Sequence, residues 1–379
     1  MADAYILDAA RSPIGKRGGG LAQLRPDDLA AQCLSGLVDR TGFDPGQVED
    51  VVMGCVTQTG EQGLNISRNA VLAAGWPISV PGTTVNRMCG SSLQSTNFAA
   101  QAVMAGSMDL VVGAGVESMT RVTMGSDAGG ISERIQDRFD IVPQGTSAEL
   151  IAERYGMQRS TLDTLSVTSH QRAVNAIEKG WFDREIVPIH TTDAEGSPCT
   201  ITRDEGPRPD SNIEKVATLK PAFRENGVIT AASSSQISDG ASAILVGTQE
   251  KAKALGIKPR ARFRSMAVVA TDPTMMLLGP GPATQLALEK AGLTLQDIDL
   301  FEVNEAFASV VLAWAHDTGA SLEKTNVNGG AMALGHPLGA TGARLLVTLL
   351  HEMERRDVQF GLATLCIGFG QAVATILER

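Results

Sequence analysis

The chain has 379 residues, 43% of them apolar but only 4% aromatic, which suits two or three domains built around a largely aliphatic core. Its formal charge of −10 is spread along the chain without a basic stripe, which argues against a nucleic-acid partner, and no apolar run approaches the roughly 20 residues that span a bilayer. Five scattered cysteines without a C-x-x-C pair argue against a disulfide framework and a structural zinc site, and they point to a reducing, cytoplasmic setting.

Ala4–Ala9 reads as a first strand ended by Arg11-Ser12-Pro13, with no signal or transit pattern ahead of it. Pro26-Asp27-Asp28 opens a helix running to about Asp39, because proline and acids suit a first helical turn. A strand follows at Val48–Gly54, a helix at Ile66–Ala74, a strand at Gly82–Asn86, a helix at Leu93–Ala105 and a nearly all-apolar strand at Asp109–Gly115. Alternating helices and apolar strands predict an α/β sheet covered on both faces. From Glu117 to about Ile229 this rhythm is interrupted. Gly/Ser/Asp-rich turns, two amphipathic helices (Ser147–Arg154, Ser160–Lys179) and a proline-rich stretch (Pro188–Pro209) suggest an inserted loop domain, with core-like sequence resuming near Val228 and again at Asp239–Gly247.

From about Arg260 the chain repeats itself. Leu37–Val56 has a counterpart in Leu288–Ala306: in each a helix ends at glycine, a few residues lead into an acid-flanked strand, and polar residues follow. Thr84-Val85-Asn86 is echoed by Asn326-Val327-Asn328, and Met108–Gly115 by Val358–Cys366. A period this long indicates two similar α/β halves rather than a solenoid. Cys89 in the first half and His336 in the second are thus expected to follow equivalent strands, and ligands bind beyond strand C-termini in such sheets.

Four stretches carry chemistry. Cys89, in V-N-R-M-C-G-S-S-L, stands before a small-residue helix, whose free N–H groups and dipole favour a thiolate, although a lone cysteine there is ordinarily a small buried hydrophobe. His336 lies in the glycine-rich run from Asn328 to Gly342, pinned between Gly335 and Pro337, where an imidazole could take a proton from a thiol. Asn304, in Val303-Asn304-Glu305-Ala306-Phe307-Ala308, reads either as a helix N-cap or as an amide that orients a water or an oxyanion. Cys366, in Leu365-Cys366-Ile367-Gly368-Phe369-Gly370, follows an apolar strand and reads as a buried residue or a second thiol acting as acid and base.

Together these stretches resemble the thiolases: Cys89 in V-N-x-x-C, N-E-A-F, G-H-P-x-G-x-x-G, a terminal C-x-G, and R-S-P-I-G at Arg11–Gly15, in the family's order and over the whole chain. The resemblance implies a thiolase fold, α/β, with two βαβαβαββ halves in a layered arrangement plus the loop domain. On that reading residues 1–117, completed by about 228–259, form the first half, 118–227 the loop domain and 260–379 the second half. It implies that Cys89 attacks a 3-oxoacyl-CoA, giving an acyl-enzyme and acetyl-CoA. Cys366 would protonate the departing carbanion and deprotonate incoming CoA. His336 would activate Cys89 and share one oxyanion site with a water held by Asn304, while the backbone N–H groups of Cys89 and Gly368 form the other. By the same likeness Arg208 meets the nucleotide end of CoA, Ser235 and Ala231 face its pantetheine arm and Phe307 lines the acyl end. No permanently bound cofactor and no metal is implied; CoA is a substrate, and a homodimer or homotetramer is expected.

The chain departs from the family's habit at three places. Ser233-Ser234-Ser235-Gln236-Ile237-Ser238-Asp239-Gly240 stands where N-A-S-G-I-N-D-G is usual, Gln144-Gly145 where many members carry Met-Gly, and Gly368-Phe369-Gly370 where triple glycine is commoner. These changes leave the four reactive residues intact and bear on acyl preference, speaking against strict acetoacetyl specificity. A biosynthetic, acetoacetyl-CoA-forming thiolase and a non-catalytic acyl-CoA or lipid-binding relative are the alternatives. A ketoacyl synthase would lack Cys366.

Overall fold

Pro26 opens the first helix with Asp27 and Asp28 in its initial turn, and Gly42, at φ 69°, closes it by donating its N–H to the Val38 carbonyl. The computed structural model describes residues 3–379. Its first part runs β1 (Tyr5–Arg11), β2 (Gly15–Lys16), α1 (Pro26–Thr41), β3 (Asp50–Gly54), α2 (Ile66–Ala73), β4 (Gly82–Val85), α3 (Ser91–Met104) and β5 (Leu110–Ser118). A loop-rich stretch carries α4 (Glu133–Gln136), α5 (Gln144–Arg154), α6 (Arg159–Glu178), β6 (Ile189–Thr192), β7 (Pro198–Ile201) and α7 (Ile213–Ala217). Then follow β8 (Ser238–Gly247), α8 (Gln249–Leu255), β9 (Ala261–Ala270), α9 (Pro280–Ala291), β10 (Leu300–Val303), α10 (Ala308–Thr318), α11 (Ala331–Leu334), α12 (Leu338–Arg356), β11 (Phe360–Ile367) and β12 (Gln371–Glu378).

The strand orders of the two parts mirror one another. One runs β1-β8-β5-β3-β4 and the other β9-β12-β11-β10, in each case with parallel pairing toward the outer end. The acids flanking β3 and β10 have the same job. Glu49 accepts the N–H of Leu110 at the start of β5, and Asp299 accepts that of Phe360 at the start of β11. One expected equivalence fails. Gly82–Val85 is a strand, whereas its counterpart at Asn326–Asn328 is not; only Thr325 makes a single parallel bridge to Phe301. There the side chain of Asn326 takes over the pairing, accepting from the Val303 N–H and donating to the Val303 carbonyl, each at 2.8 Å.

The hydrogen-bonded path is continuous from β10 to β4, but the halves join through a short β1–β9 pairing, Tyr5↔Arg262 and Ile6↔Ala261. Around that narrow seam the sheet halves enclose α3 and α12. Helix α3 packs on β3, β5 and β8 and also on β12; α12 packs on β5 and β8 and also on β10 and β11. Helices α1 and α2 cover one outer face and α9 the other. The result is helix–sheet–helix–sheet–helix layering. Leu345, Leu346, Leu349 and Leu350 of α12 are fully buried in the middle, each contributing about 1.5–3 kcal/mol. Gly342 lets α12 touch α3, because a Cβ there would strike the Leu93 backbone.

The loop-rich stretch is tied to β1 by a buried ion cluster. Arg11 donates from Nε to Glu185 at 2.6 Å and from both Nη atoms to Asp204 at 2.7 and 2.9 Å. Removing one member of such a cluster costs about 3–5 kcal/mol. The proline-rich segment holds a hairpin, β6–β7, that the sequence reading passed over; Asp193 accepts the N–H groups of Glu195 and Ser197 and Gly196 takes φ 84° to make its turn. No helix among the described residues is long and apolar enough to cross a membrane.

Candidate active site

Cys89 sits two residues before α3, after a turn that Asn86 organises by accepting the Met88 N–H at 2.8 Å. Met88 takes φ 45°, a left-handed conformation that costs a non-glycine residue about 1–3 kcal/mol. The sulfur is buried, and that burial raises its pKa above the usual thiol value. The side chain of Gln144 and the backbone N–H groups of Cys89 and Gly368 pull the other way without overcoming it. The helix start therefore does not hold a resting thiolate, contrary to the electrostatic expectation from sequence, because desolvation outweighs the donors.

His336 is held by its neighbours in one tautomer. Thr341 donates its hydroxyl hydrogen to the Pro337 carbonyl at 2.8 Å, so toward His336 Nδ1, 2.7 Å away, it acts as acceptor. The Nδ1 atom carries the proton and Nε2 presents a lone pair, to which Asn304 Nδ2 approaches at 3.3 Å. Burial, and secondarily the charge of Arg344, lower the imidazole pKa to about 3. His336 is thus neutral and an acceptor, as a general base must be. Its loop is fixed by Gly335 at φ 108° and by the His336 N–H donating to the Gln236 carbonyl at 3.0 Å.

Asn304 directly follows β10 with its side chain buried and does not cap a helix, since α10 begins at Ala308. Its Oδ1 is buried with no hydrogen-bond partner among the described residues, which suits an ordered water. Cys366, in β11, is buried among Ala306, Phe307 and Met332. Burial, and then the neighbouring Cys89, raise its pKa well above the ordinary thiol value. Gly368 follows at a point where a Cβ would lie 2.9 Å from Met88 Sδ and 3.5 Å from Gln144 Nε2, and Phe369 takes φ 59°.

Cys89, His336, Ser235 and Phe307 line one cavity of about 930 Å³. Cys366, Asn304 and Gly368 are not among its lining residues. Arg208 and Ala231 are exposed and do not line it; Arg208 is held through its backbone N–H, which donates to His170 Nδ1 at 3.1 Å. The outer wall is apolar and comes from the loop-rich stretch, with Met124, Ile131, Ile135 and Phe223, and from Phe369.

Three side chains at the site were given no role from sequence. Gln144 Nε2 lies 4.0 Å from Cys89 Sγ. Gln236, which stands where the family usually has glycine, donates to the Met332 and Ala333 carbonyls at 3.0 and 2.9 Å and so braces the turn ahead of His336. Glu117, fully buried in β5, accepts the N–H groups of Val56, Thr57 and Gly339 and the amide of Gln62, joining the β3 loop to the start of α12. The departures from family habit flagged the two glutamines. Nothing local flags Glu117, whose donors come from distant segments.

Residues 4–250 match the family model described as thiolase, N-terminal domain, and residues 257–379 match thiolase, C-terminal domain. The chain is 47% identical to a steroid 3-ketoacyl-CoA thiolase of Mycobacterium tuberculosis, over 100% of this chain and 95% of that protein. It is also 47% identical to a 3-ketoacyl-CoA thiolase of Serratia proteamaculans, over the full length of both. The crystal structure of the Bacillus anthracis acetyl-CoA acetyltransferase is similar with a TM-score of 0.92 at 39% identity, covering 100% of this chain and 99% of that one.

Proposed function

The chain belongs to the thiolase family, and from that premise we propose that it cleaves 3-oxoacyl-CoA with CoA, through an acyl group carried on Cys89. It is an acyltransferase. The observation that carries the mechanism is the pairing, on one cavity, of the Cys89 sulfur beneath the Cys89 and Gly368 N–H groups with a neutral His336 whose Nε2 presents a lone pair, approached by Asn304 Nδ2 at 3.3 Å.

His336 Nε2 takes the Cys89 proton as the sulfur attacks the 3-keto carbon, so the thiolate forms only when substrate is present to receive it. The bond between C2 and C3 breaks and its electron pair passes to C2, giving the enolate of acetyl-CoA. Cys366 donates its proton to that carbon. The raised pKa of Cys366 keeps it protonated until a strongly basic carbanion appears. The Cys366 thiolate then removes the proton from incoming CoA, whose sulfur attacks the acyl-Cys89 thioester; acyl-CoA is released, and the departing Cys89 sulfur takes back its proton from His336 Nε2. One oxyanion is stabilised by His336 with a water on Asn304, the other by the two backbone N–H groups. Run backwards, the same steps form a carbon–carbon bond.

The cavity's volume and apolar wall, with the names of the 3-ketoacyl-CoA relatives, support acyl groups larger than acetoacetyl. Of the proposed CoA contacts, Ser235 and Phe307 line the cavity, while Arg208 and Ala231 are assigned to the outer path of the cofactor-sized substrate. The same reading assigns residues 1–117 with 228–259, 118–227 and 260–379 as structural units, a homodimer or homotetramer, and the cytoplasm; the five free thiols are in keeping with a reducing compartment. The test is CoA-dependent loss of 3-oxoacyl thioester across a chain-length series, with the trapped adduct located by peptide mass spectrometry. Cys89→Ala is expected to abolish adduct and turnover together. An adduct on another residue would refute the assignment.

A further inference from the structure

Gln144 is the first residue of α5, in the loop-rich stretch rather than in either sheet half. The helix is anchored from below: Glu149 accepts the N–H groups of Val228 and Ile229 at 2.9 and 3.0 Å, and Ser309 Oγ donates to the Ala148 carbonyl at 3.1 Å. Gly145 is buried against the Phe223 ring, which would collide with any Cβ at that position. The backbone that carries Gln144 is therefore fixed, and its side chain reaches over Gly368 to bring Nε2 within 4.0 Å of Cys89 Sγ. Among the described residues the sulfur is the only hydrogen-bonding partner of this side chain.

A 4.0 Å approach is long for a neutral thiol, a weak acceptor. Hydrogen bonds to ionised acceptors are shorter and about twice as strong, so the contact tightens when the sulfur carries charge. From this geometry we propose that Gln144 is a catalytic residue, a side-chain amide donor that joins the Cys89 and Gly368 N–H groups in stabilising the sulfur anion whenever it forms or departs. The proposal rests on Cys89 being the nucleophile. It gives the loop-rich stretch a direct part in the chemistry, where a methionine at this position would offer bulk but no donor. The other titratable groups around the sulfur are His336 ahead of α12, Cys366 in β11, Glu117 in β5 and Asp127 in the cavity wall, and among the described residues none of them hydrogen-bonds to the Gln144 side chain.

The experiment measures the rate of Cys89 alkylation by iodoacetamide against pH, with the modified cysteine identified by peptide mass spectrometry. Gln144→Met keeps the volume and removes the donor; its profile is expected to move to higher pH, with the rate at pH 7 about 3- to 10-fold below that of the parent enzyme. Gln144→Glu sets a carboxylate against the forming thiolate and is expected to slow the reaction further. Should Gln144→Met fail to fold, Gln144→Asn, too short to reach the sulfur, is expected to shift in the same direction. A Gln144→Met or Gln144→Asn profile superposing on the parent's, with Cys89 still the residue modified, would overturn the role of Gln144 and leave the thiolase reading standing. Preferential modification of a different cysteine would overturn both.

Discussion

The two sheet halves share a topology and divide the chemistry unequally. Asp50 pairs with Val111 and Leu300 with Gly361, so Gly54 at the end of β3 corresponds to Asn304, and Val116 in β5 to Cys366. The first half fills those positions for packing, whereas the second holds an amide and a thiol there. The cause is how close the central helix comes. A Cβ on Gly54 would run into the Ser91 backbone at the start of α3, leaving no room for a side chain. In the second half α11 and the His336 turn precede α12 in the chain, and the Asn304 side chain approaches His336 at 3.3 Å. A duplicated fold thus offers equivalent strand ends, and the spacing of the next helix decides whether an end becomes scaffold or reagent.

Exchanging residues between equivalent positions breaks this asymmetry in a graded way. Cys366→Val, which imports the first half's residue, removes the proton carrier while keeping the packing. It is expected to lower turnover about 10²- to 10⁴-fold with acyl-Cys89 still detectable in the mass spectrum. Asn304→Gly imports the other first-half residue, and a loss of about 10²- to 10³-fold in kcat is expected from steady-state kinetics, the range for removing one oxyanion contact. The reverse exchange, Gly54→Asn, should act on stability instead. Overpacking against Ser91 is expected to cost about 1–3 kcal/mol, read as a lower denaturant midpoint.

The smallest expected effect concerns pH. His336 and His351 have pKa values lowered to about 3, and His170 to about 4, in each case chiefly by burial. Their unfolded values lie near 6.5, so the unfolded chain binds more protons below that pH. The stabilisation is complete above about pH 6.5 and is lost as pH falls toward 4. Glu302, raised to about 8 chiefly by burial, acts in the opposite sense over this range, so the His336 contribution is read by difference: the loss of Tm between pH 7 and pH 5 should be smaller in His336→Asn than in the parent. An equal pH response in the two proteins would contradict the neutral burial of His336.

Much of the scaffold was legible from local signals. Pro26, Asp27, Asp28 and Gly42 bound α1 by rules that act within one turn, and the largely apolar β5 is a strand buried on both faces. The hairpin at Ile189–Thr192 and Pro198–Ile201 was hidden by its prolines, although the alternating burial of β6 and the Asp193–Gly196 turn are ordinary hairpin features. The strand expected at Asn326–Asn328 was read from an echo of Thr84–Asn86. The echo preserved residue types, but the backbone there pairs through the Asn326 side chain instead.

By itself the sequence determined the α/β class and the duplication and nominated Cys89, His336, Asn304 and Cys366 as candidates, because those depend on spacing along the chain and on which functional groups are present. Only the tertiary structure decided their states. The His336 tautomer follows from Thr341 and Pro337, the protonated resting Cys89 follows from burial outweighing its donors, and the contact of Gln144 follows from a helix anchored on distant segments. Proton positions and pKa values are set by the solvent excluded and the dipoles within a few ångströms, and those neighbours come together only when the chain folds.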